Sequence, residues 1–259
     1  MKVVILCGGF GTRLREETEL RPKPMVEVGG KPLLWHIMKT FAHYGYDDFV
    51  LCLGYKGDVI KNYFLNYEQL NNDFSIELGT GNIQVHNQHE ETGWKVTLVD
   101  TGLNAMTGAR VKRVEKYVDG DCFMLTYGDG VTDMNINELL EFHQSKDRIG
   151  TVTGVSPPSH YGNLNISGSD VVSFQEKPEV HDSFISGGYF VFNREFFNYL
   201  SPEDDCVLER EPMQHLSTDG QLSVRTHRGF WQCMDTYRDY QYLNEMWSQG
   251  QARWKVWQS

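Results

Sequence analysis

The chain leaves its first apolar segment through a glycine-rich turn that ends in an arginine. The apolar run is VVI at residues 3–5, and the stretch LCGGFGTRL follows at residues 6–14. A run that is apolar throughout predicts a strand covered on both faces of a parallel sheet. A dinucleotide-binding turn reads G-x-G-x-x-G, but position 14 is leucine. The alternative is a phosphate-binding loop in which Arg13 supplies a cation.

The pattern beyond this loop decides the fold class. Apolar residues at helical spacing predict helices over residues 31–45, 57–67 and 136–145, and apolar runs predict strands over 48–55 and 122–130. Strands that alternate with helices in this way form right-handed βαβ units. The sequence therefore predicts an α/β fold with a parallel sheet at its centre.

The remaining segments do not continue this alternation of strands and helices. Short β-like stretches occupy residues 74–100 and recur after residue 150, and a helical tail begins near Tyr237. Residues 100–113, DTGLNAMTGARVKR, read as a flexible loop. No repeat or linker divides the chain, which predicts a single domain over residues 1–259 with a C-terminal β and helical extension.

Composition excludes several classes of protein. The 259 residues carry a formal charge of −11, which disfavours a nucleic-acid coat and an anionic membrane surface as partners. The apolar run at the N-terminus is short for a signal peptide, and no apolar stretch reaches the roughly 18 residues of a membrane span. Five cysteines without a C-x-x-C pair indicate buried, reduced thiols and a cytoplasmic setting.

Two cations are candidates for binding phosphates. Arg13 follows the glycine loop and presents a planar fork to phosphate oxygens. Lys23 lies between Pro22 and Pro24, which stiffen its backbone and allow it to aim a compact charge. The alternative for Lys23 is an ordinary solvated surface lysine.

Two carboxylates are candidates for a metal site. Asp129 in TYGDG ends an apolar strand, where open α/β sheets bind ligands, although a turn aspartate bonding its own backbone is the alternative. Asp235 follows the apolar stretch GFWQCM, and it is either a partner of a cation or a cap for the C-terminal helix. Mg²⁺ prefers one or two carboxylates together with phosphate oxygens.

Two further stretches carry polar groups. FQEKP places Glu176 and Lys177 at a strand end, where they suit a sugar hydroxyl and a phosphate or form a solvated ion pair. Thr107 and Arg110 offer a second anion or base contact. No P-loop motif and no G-x-S-x-G appears, which argues against a P-loop protein and an α/β-hydrolase, and the chain offers no obvious nucleophile. Positioned cations with a metal are what phosphoryl and nucleotidyl transfer require.

These motifs together resemble a known family. GGFGTRL, PKPMVEVGGKP, YGDG, FQEKP, GGYFVF and FWQCMDT are similar to the motifs of sugar-1-phosphate nucleotidylyltransferases, and the likeness to the cytidylyl branch runs nearly end to end. The resemblance implies a Rossmann-like, doubly wound mixed sheet. It also implies that CTP and α-D-glucose 1-phosphate react to give CDP-glucose and pyrophosphate, with Mg²⁺ as cofactor.

The resemblance also assigns residues. It implies that Asp129 and Asp235 bind Mg²⁺ and, with Arg13 and Lys23, form the catalytic group. It implies substrate contacts at the positions Leu6, Cys7, Gly8, Gly9, Phe10, Gly11, Thr12, Arg13, Lys23, Thr107, Arg110, Gly128, Glu176, Lys177 and Gly188. Residues 1–150 are then the nucleotide-binding core, 151–236 the sugar-phosphate part and 237–259 the helical tail. Ser186, where the family often has asparagine, lacks one amide donor for the sugar.

Several alternatives stay open at this point. The chain could use another nucleotide or sugar 1-phosphate, or it could be a catalytically silent nucleotide-sugar sensor, although a sensor has no need for a metal pair. An NAD enzyme is disfavoured by Leu14 and by the missing acidic residue after the strand that ends at Gly54. The polar, β-like residues 71–95 suggest an interface arm, so we expect a homo-oligomer, with a trimer or a hexamer as candidates.

Overall fold

The structure is a computed structural model, and it describes residues 1–87, 89–156, 163–167, 169–175 and 184–258. The strands, numbered along the chain, are β1 Lys2–Cys7, β2 Glu27–Val28, β3 Lys31–Pro32, β4 Asp48–Leu53, β5 Phe74–Ile76, β6 Ile83–Val85, β7 Lys95–Asp100, β8 Cys122–Tyr127, β9 Gly130–Thr132, β10 Gly150–Val155, β11 Asn163–Ser167, β12 Asp170–Gln175, β13 Ile185–Asn193, β14 Leu222–His227 and β15 Trp231–Cys233.

The α-helices are α1 Arg15–Thr18, α2 Leu33–His43, α3 Gly57–Leu65, α4 Tyr67–Asn71, α5 Thr107–Arg113, α6 Ile136–Lys146, α7 Glu211–Thr218 and α8 Tyr237–Ser248. Short 3₁₀ turns cover Thr12–Leu14, Lys23–Met25, Glu115–Tyr117 and Arg194–Tyr199. Among the described helices, none has the length and apolar character that crossing a lipid bilayer requires.

A seven-stranded sheet forms the centre, in the order β14, β10, β13, β8, β1, β4, β7. Its neighbouring strands are parallel except where β13 pairs with β10 and β8. The chain builds outward from β1 through β4 to β7 and then returns to place β8 on the other side of β1. The predicted α/β fold with a doubly wound mixed sheet is therefore confirmed.

Two hydrophobic cores cover the two faces of the sheet, because successive strand residues point to opposite sides. Val3 and Ile5 of β1 pack with apolar residues of α2, α3, α6 and α8. Val4 and Leu6 of the same strand pack with residues of α5 and α7 on the opposite face. Burying each such side chain contributes about 1.5–3 kcal/mol relative to leaving it exposed. Strand β1 is thus fixed from both sides, which fixes the start of the glycine loop.

A small antiparallel ribbon carries the C-terminal segment to the end of β8. Strand β15 pairs with β9, with Cys233 opposite Gly130. The Met234 backbone N–H then donates to the carbonyl oxygen of Asp129 at 2.8 Å. The ribbon therefore brings Asp235 beside Asp129, although they are far apart in sequence.

The expected flexible loop over residues 100–113 is wrong in its second half, where α5 forms. Ala109 and Val111 of this helix are fully buried. Gly108, which suggests flexibility in the sequence, lies where an added Cβ would be 2.7 Å from Cys206 Sγ. Close packing rather than mobility explains this glycine.

The helical tail is confirmed only up to Ser248. The following residues, 249–258, form turns without helix, and Trp254 and Trp257 anchor them in the core. All five cysteines lie in the described part of the chain and are free thiols, but of these predicted buried thiols only Cys7 and Cys52 are buried, and the other three are partly exposed.

Candidate active site

A cavity of about 390 Å³ opens at the carboxyl ends of β1 and β8. The connections from these neighbouring strands leave in opposite directions, which is where open α/β sheets bind ligands. The Gly128 backbone N–H donates to the Leu6 carbonyl oxygen at 3.0 Å and holds the two strand ends together. The cavity brings together these predicted residues: Leu6, Cys7, Gly8, Gly9, Phe10, Gly11, Thr12, Arg13, Lys23, Thr107, Arg110, Gly128, Asp129 and Asp235.

The glycine loop forms one wall of this cavity. Gly11 has φ of +64°, a left-handed conformation that favours glycine, and its carbonyl oxygen accepts from the Leu14 N–H at 3.0 Å. The helix that follows, Arg15–Thr18, is only one turn long. A long helix N-terminus is therefore not available to an anion here, whereas the positively charged Arg13 side chain beside the loop is 75% exposed.

Arg110 supports the loop from below. It is buried, and its guanidinium donates to five oxygen acceptors around it, those of Gly8, Leu53, Thr101, Gly102 and Leu103. Burial lowers the pKa of Arg110 somewhat from its usual value. Because most of its donors are engaged by protein oxygens, Arg110 joins the glycine loop to β4 and to the segment before α5, and its predicted contact with substrate stays a prediction.

Lys23 lies between the two aspartates. Its Nζ is 2.7 Å from Asp129 Oδ2 and 2.5 Å from Asp235 Oδ1, and its side chain is only 12% exposed. Burial alone would lower the pKa of Lys23, but the neighbouring Asp129 carboxylate and the hydrogen bonds to both aspartates raise it above its usual value. The lysine is therefore charged at neutral pH and is no surface lysine.

Asp235 belongs to this cluster and does not cap α8. Its carboxylate also contacts Arg13 Nη1 at 3.2 Å. Burial favours the neutral acid, but Lys23 and Arg13 hold the pKa of Asp235 below its usual value. The cap of α8 is Thr236, which forms a capping box with Asp239. The cap alternative for Asp235 is therefore excluded.

The donor set suits a divalent cation. Single ligand atoms of Asp129, Cys233 and Asp235 lie within 4.8 Å of one another. Two carboxylates are the oxygen ligands that Mg²⁺ prefers, whereas a thiol suits softer metals. Burial raises the pKa of the Cys233 thiol well above its usual value, which keeps it protonated. The two aspartates thus fit Mg²⁺, and Cys233 is a neighbour that the sequence analysis did not identify.

A second cavity of about 420 Å³ adjoins the first and shares Arg13, Tyr127, Asp129 and Asp235 with it. It extends over Ser186–Tyr189 of β13 and includes the predicted residue Gly188. Two ligands bound in these cavities would meet beside Asp129 and Asp235, which line both cavities. Glu176 and Lys177, the predicted sugar-phosphate contacts, lie outside the described residues.

Besides Cys233, the sequence analysis missed Tyr127 and Glu209. Tyr127 lines both cavities, and its hydroxyl donates to Glu209 Oε1. Thr107, which was predicted, donates to the other oxygen of Glu209 at 2.7 Å. A polar aromatic residue directly before the Gly128-Asp129 pair was a visible signal for Tyr127, but no local pattern marks Glu209.

Comparison with known proteins shows to which family the chain belongs. The profile of the family described as "Nucleotidyl transferase" matches residues 2–244. The chain belongs to this family. A glucose-1-phosphate cytidylyltransferase from Salmonella typhi is 48% identical over 259 residues, covering 100% of both chains. A mannose-1-phosphate guanylyltransferase catalytic subunit beta from Dictyostelium discoideum is 30% identical over 245 residues, covering 93% of this chain and 62% of the relative.

A solved structure supports the fold. HddC from Yersinia pseudotuberculosis superimposes with a TM-score of 0.69 at 24% identity, covering 95% of this chain and 99% of that one. The predicted membership of a nucleotidyltransferase family is confirmed, and an NAD enzyme is excluded. Members of this nucleotidyl transferase family generally use a divalent metal, which agrees with the paired aspartates.

Proposed function

We propose that the protein transfers a cytidylyl group from CTP to α-D-glucose 1-phosphate, giving CDP-glucose and pyrophosphate. The observation that carries the proposal is a pair of cavities that meet at Asp129 and Asp235, the two carboxylates that contact Lys23. The full-length identity of 48% to the Salmonella typhi cytidylyltransferase favours CTP and glucose 1-phosphate over other substrate pairs.

The proposed reaction needs no protein nucleophile. An oxygen of the sugar phosphate attacks the α-phosphorus of CTP, a P–O bond forms, and the bond to the β-phosphate breaks as pyrophosphate leaves. Electrostatic stabilisation and positioning supply most of the acceleration in such reactions. In this proposal the glycine loop and Arg13 hold the nucleotide phosphates, which Arg13 can reach because its side chain is largely exposed.

Lys23 has a more specific part. An ammonium group has three N–H donors, and within the described residues two of them are engaged by Asp129 and Asp235. The third remains for a phosphate oxygen of the nucleotide. Lys23 thereby ties the position of a phosphate to the positions of both carboxylates.

Mg²⁺ is the proposed metal, with Asp129 and Asp235 as its protein ligands. Bound there, it would neutralise charge on the phosphates during transfer. Because the same carboxylates hold Lys23 in the metal-free protein, metal binding competes with that ion pair. Once Arg13 leaves Asp235 for the nucleotide phosphates, two carboxylates beside one protonated lysine leave a net negative charge that favours a cation.

The sugar phosphate is assigned to the second cavity, which Gly188 and Tyr127 border. Glu176 and Lys177 are proposed to hold the sugar hydroxyls and its phosphate, and this assignment rests on the FQEKP motif alone. The division into a nucleotide part, residues 1–150, and a sugar-phosphate part, residues 151–236, remains a prediction.

The test is a pyrophosphate-release assay with four nucleoside triphosphates, several sugar 1-phosphates and Mg²⁺. We expect the highest rate with CTP and α-D-glucose 1-phosphate. A preference of tenfold or more for UTP or dTTP would reject the cytidylyl assignment and leave nucleotidyl transfer intact. Pyrophosphate release with none of the pairs would reject the enzymatic function itself.

A homo-oligomer is proposed from the hairpin of β5 and β6. Five of its apolar side chains are between 36% and 90% exposed: Phe74, Ile76, Leu78, Ile83 and Val85. A hairpin of this kind gains stability by burying such a face against another surface. Light scattering is expected to give a molar mass that is a multiple of the single chain, and Leu78→Ser with Ile76→Ser should lower it. A monomeric wild-type protein would contradict the proposal.

A further inference from the structure

The side chain of Tyr127 is a wall that the two cavities share. It is the last residue of β8 and lines both cavities. Its ring packs on Gly188, where an added Cβ would lie 2.5 Å from Tyr127 Cδ2, and it meets Phe190 edge-on at 6.1 Å. Gly188 has φ of +76° and therefore suits glycine for its conformation as well. The ring is thus held against β13, and its position sets the boundary between the cavities.

The hydroxyl of Tyr127 fixes the ring in the remaining direction. It donates to Glu209 Oε1, across 82 residues of sequence. Burial raises the pKa of Tyr127 well above its usual value, and the charge of Glu209 raises it further. The hydrogen bond from the phenol hydroxyl to Glu209 therefore positions the ring.

The second carboxylate oxygen of Glu209 serves the other side of the site. It accepts from Thr107 Oγ1 at 2.7 Å, and that hydroxyl in turn accepts from the Leu208 backbone N–H at 3.0 Å. Thr107 is the first residue of α5 and lines the first cavity. One carboxylate therefore holds a residue that borders both cavities and a residue that borders only the first.

We propose that Glu209 is a positioning residue that couples the nucleotide cavity to the sugar-phosphate cavity. It fixes Tyr127 and Thr107 at once, so displacement of one side chain is transmitted to the other through a single carboxylate. Hydrogen bonds to a charged acceptor are stronger than neutral ones, which suits this task. The inference rests on the proposed function, because that function assigns one substrate to each cavity.

The test compares Glu209→Ala, Glu209→Gln and Tyr127→Phe by steady-state kinetics with both substrates. We expect Glu209→Ala to raise the apparent KM of each substrate about tenfold, the loss typical of a charge-assisted hydrogen bond. The change in kcat should be smaller, because Glu209 is not among the residues that line the two cavities. Glu209→Gln should recover part of the loss, since the amide keeps one acceptor oxygen. In the Glu209→Ala background, Tyr127→Phe should add less than twofold.

Glu211→Ala is the matched control, because Glu211 is an exposed glutamate two residues away at the start of α7. It should leave both KM values unchanged. Both KM values within twofold of wild type in Glu209→Ala, or fully additive effects of Glu209→Ala and Tyr127→Phe, would overturn the inference. All variants are assayed with the substrate pair that the wild-type enzyme uses best. A wrong choice of substrates then shows in the wild-type assay alone.

Discussion

Two of the contacts between the C-terminal segment and the N-terminal region have opposite character. At one place, Asp235 reaches Lys23 across 212 residues and forms a cluster of charges beside open cavities. At the other, the Trp254 Nε1–H donates to His36 Nδ1 across 218 residues at 3.3 Å, inside the core. Both contacts tie the same two parts of the chain together, but only the first leaves its groups accessible.

The two places differ in the charge state of their titratable groups. His36 is fully buried, and its Nε2 hydrogen bonds to the Val28 carbonyl oxygen at 2.8 Å. Burial lowers the pKa of His36 to about 4, so the ring is neutral at pH 7. In the charged cluster, by contrast, the partners keep Lys23 and Asp235 ionised. The neutral His36 ring packs in the core, whereas Lys23 and Asp235 stay ionised beside the cavities.

The largest expected effect is a loss of activity, with little change in stability, on substitution of the aspartates in the charged cluster. Asp129→Asn and Asp235→Asn should each lower kcat by about 10²- to 10⁴-fold, as expected on losing a major electrostatic stabiliser or metal ligand. Each variant should also need more Mg²⁺ for its half-maximal rate. The thermal midpoint should change little, because asparagine keeps the shape and Lys23 retains the other carboxylate.

Asp205→Asn is the matched control, since Asp205 is exposed on the loop before α7. Its kcat should stay within twofold of wild type. An Asp235→Asn enzyme that turns over within threefold of wild type, with ordinary Mg²⁺ dependence, would mean that Asp235 is no metal ligand.

A smaller effect is expected at the contact between His36 and Trp254, where the free energy of unfolding should depend on pH. His36 is protonated below about pH 6.5 in the unfolded chain but only below about pH 4 in the folded protein. The contribution of neutral His36 to the free energy of unfolding is therefore fully present above pH 6.5 and is lost as the pH falls to about 4. The slope is about 1.4 kcal/mol per pH unit for this one group.

Urea unfolding between pH 4 and 7.5 measures this slope, and His36→Gln is the reference. The amide can donate to Val28 and accept from Trp254 without titrating. Subtracting the variant removes the carboxylates that titrate in the same range. Equal slopes for the two proteins between pH 6.5 and 4 would show that His36 is not held neutral by folding.

The charged cluster was largely predictable from sequence, and the reason is local. Asp129 ends an apolar strand, and the glycine loop ends another, so the sheet had to bring them to one edge. Proline on both sides marked Lys23. The direct contact of Lys23 with both carboxylates was not predictable, because it depends on how the β9 and β15 ribbon places Asp235.

The network around Glu209 shows where sequence reasoning fails. Glu209 is 82 residues from Tyr127 and 102 from Thr107, and all three meet only after the sheet and α5 have formed. Residues 100–113, which include Thr107, were predicted to form a flexible loop. Buried packing of Ala109 and Val111 overrides that local preference and makes it a helix.

The double variant Asp129→Asn with Asp235→Asn tests the central claim most directly, because the claim is that the two carboxylates act as one unit around Lys23. Its kcat, measured at saturating substrates and Mg²⁺, should lie within about tenfold of the slower single variant, since either change already disables the unit. Independent residues would instead give a loss equal to the product of the two single losses. Observing that product would contradict the account and assign Asp129 and Asp235 separate tasks.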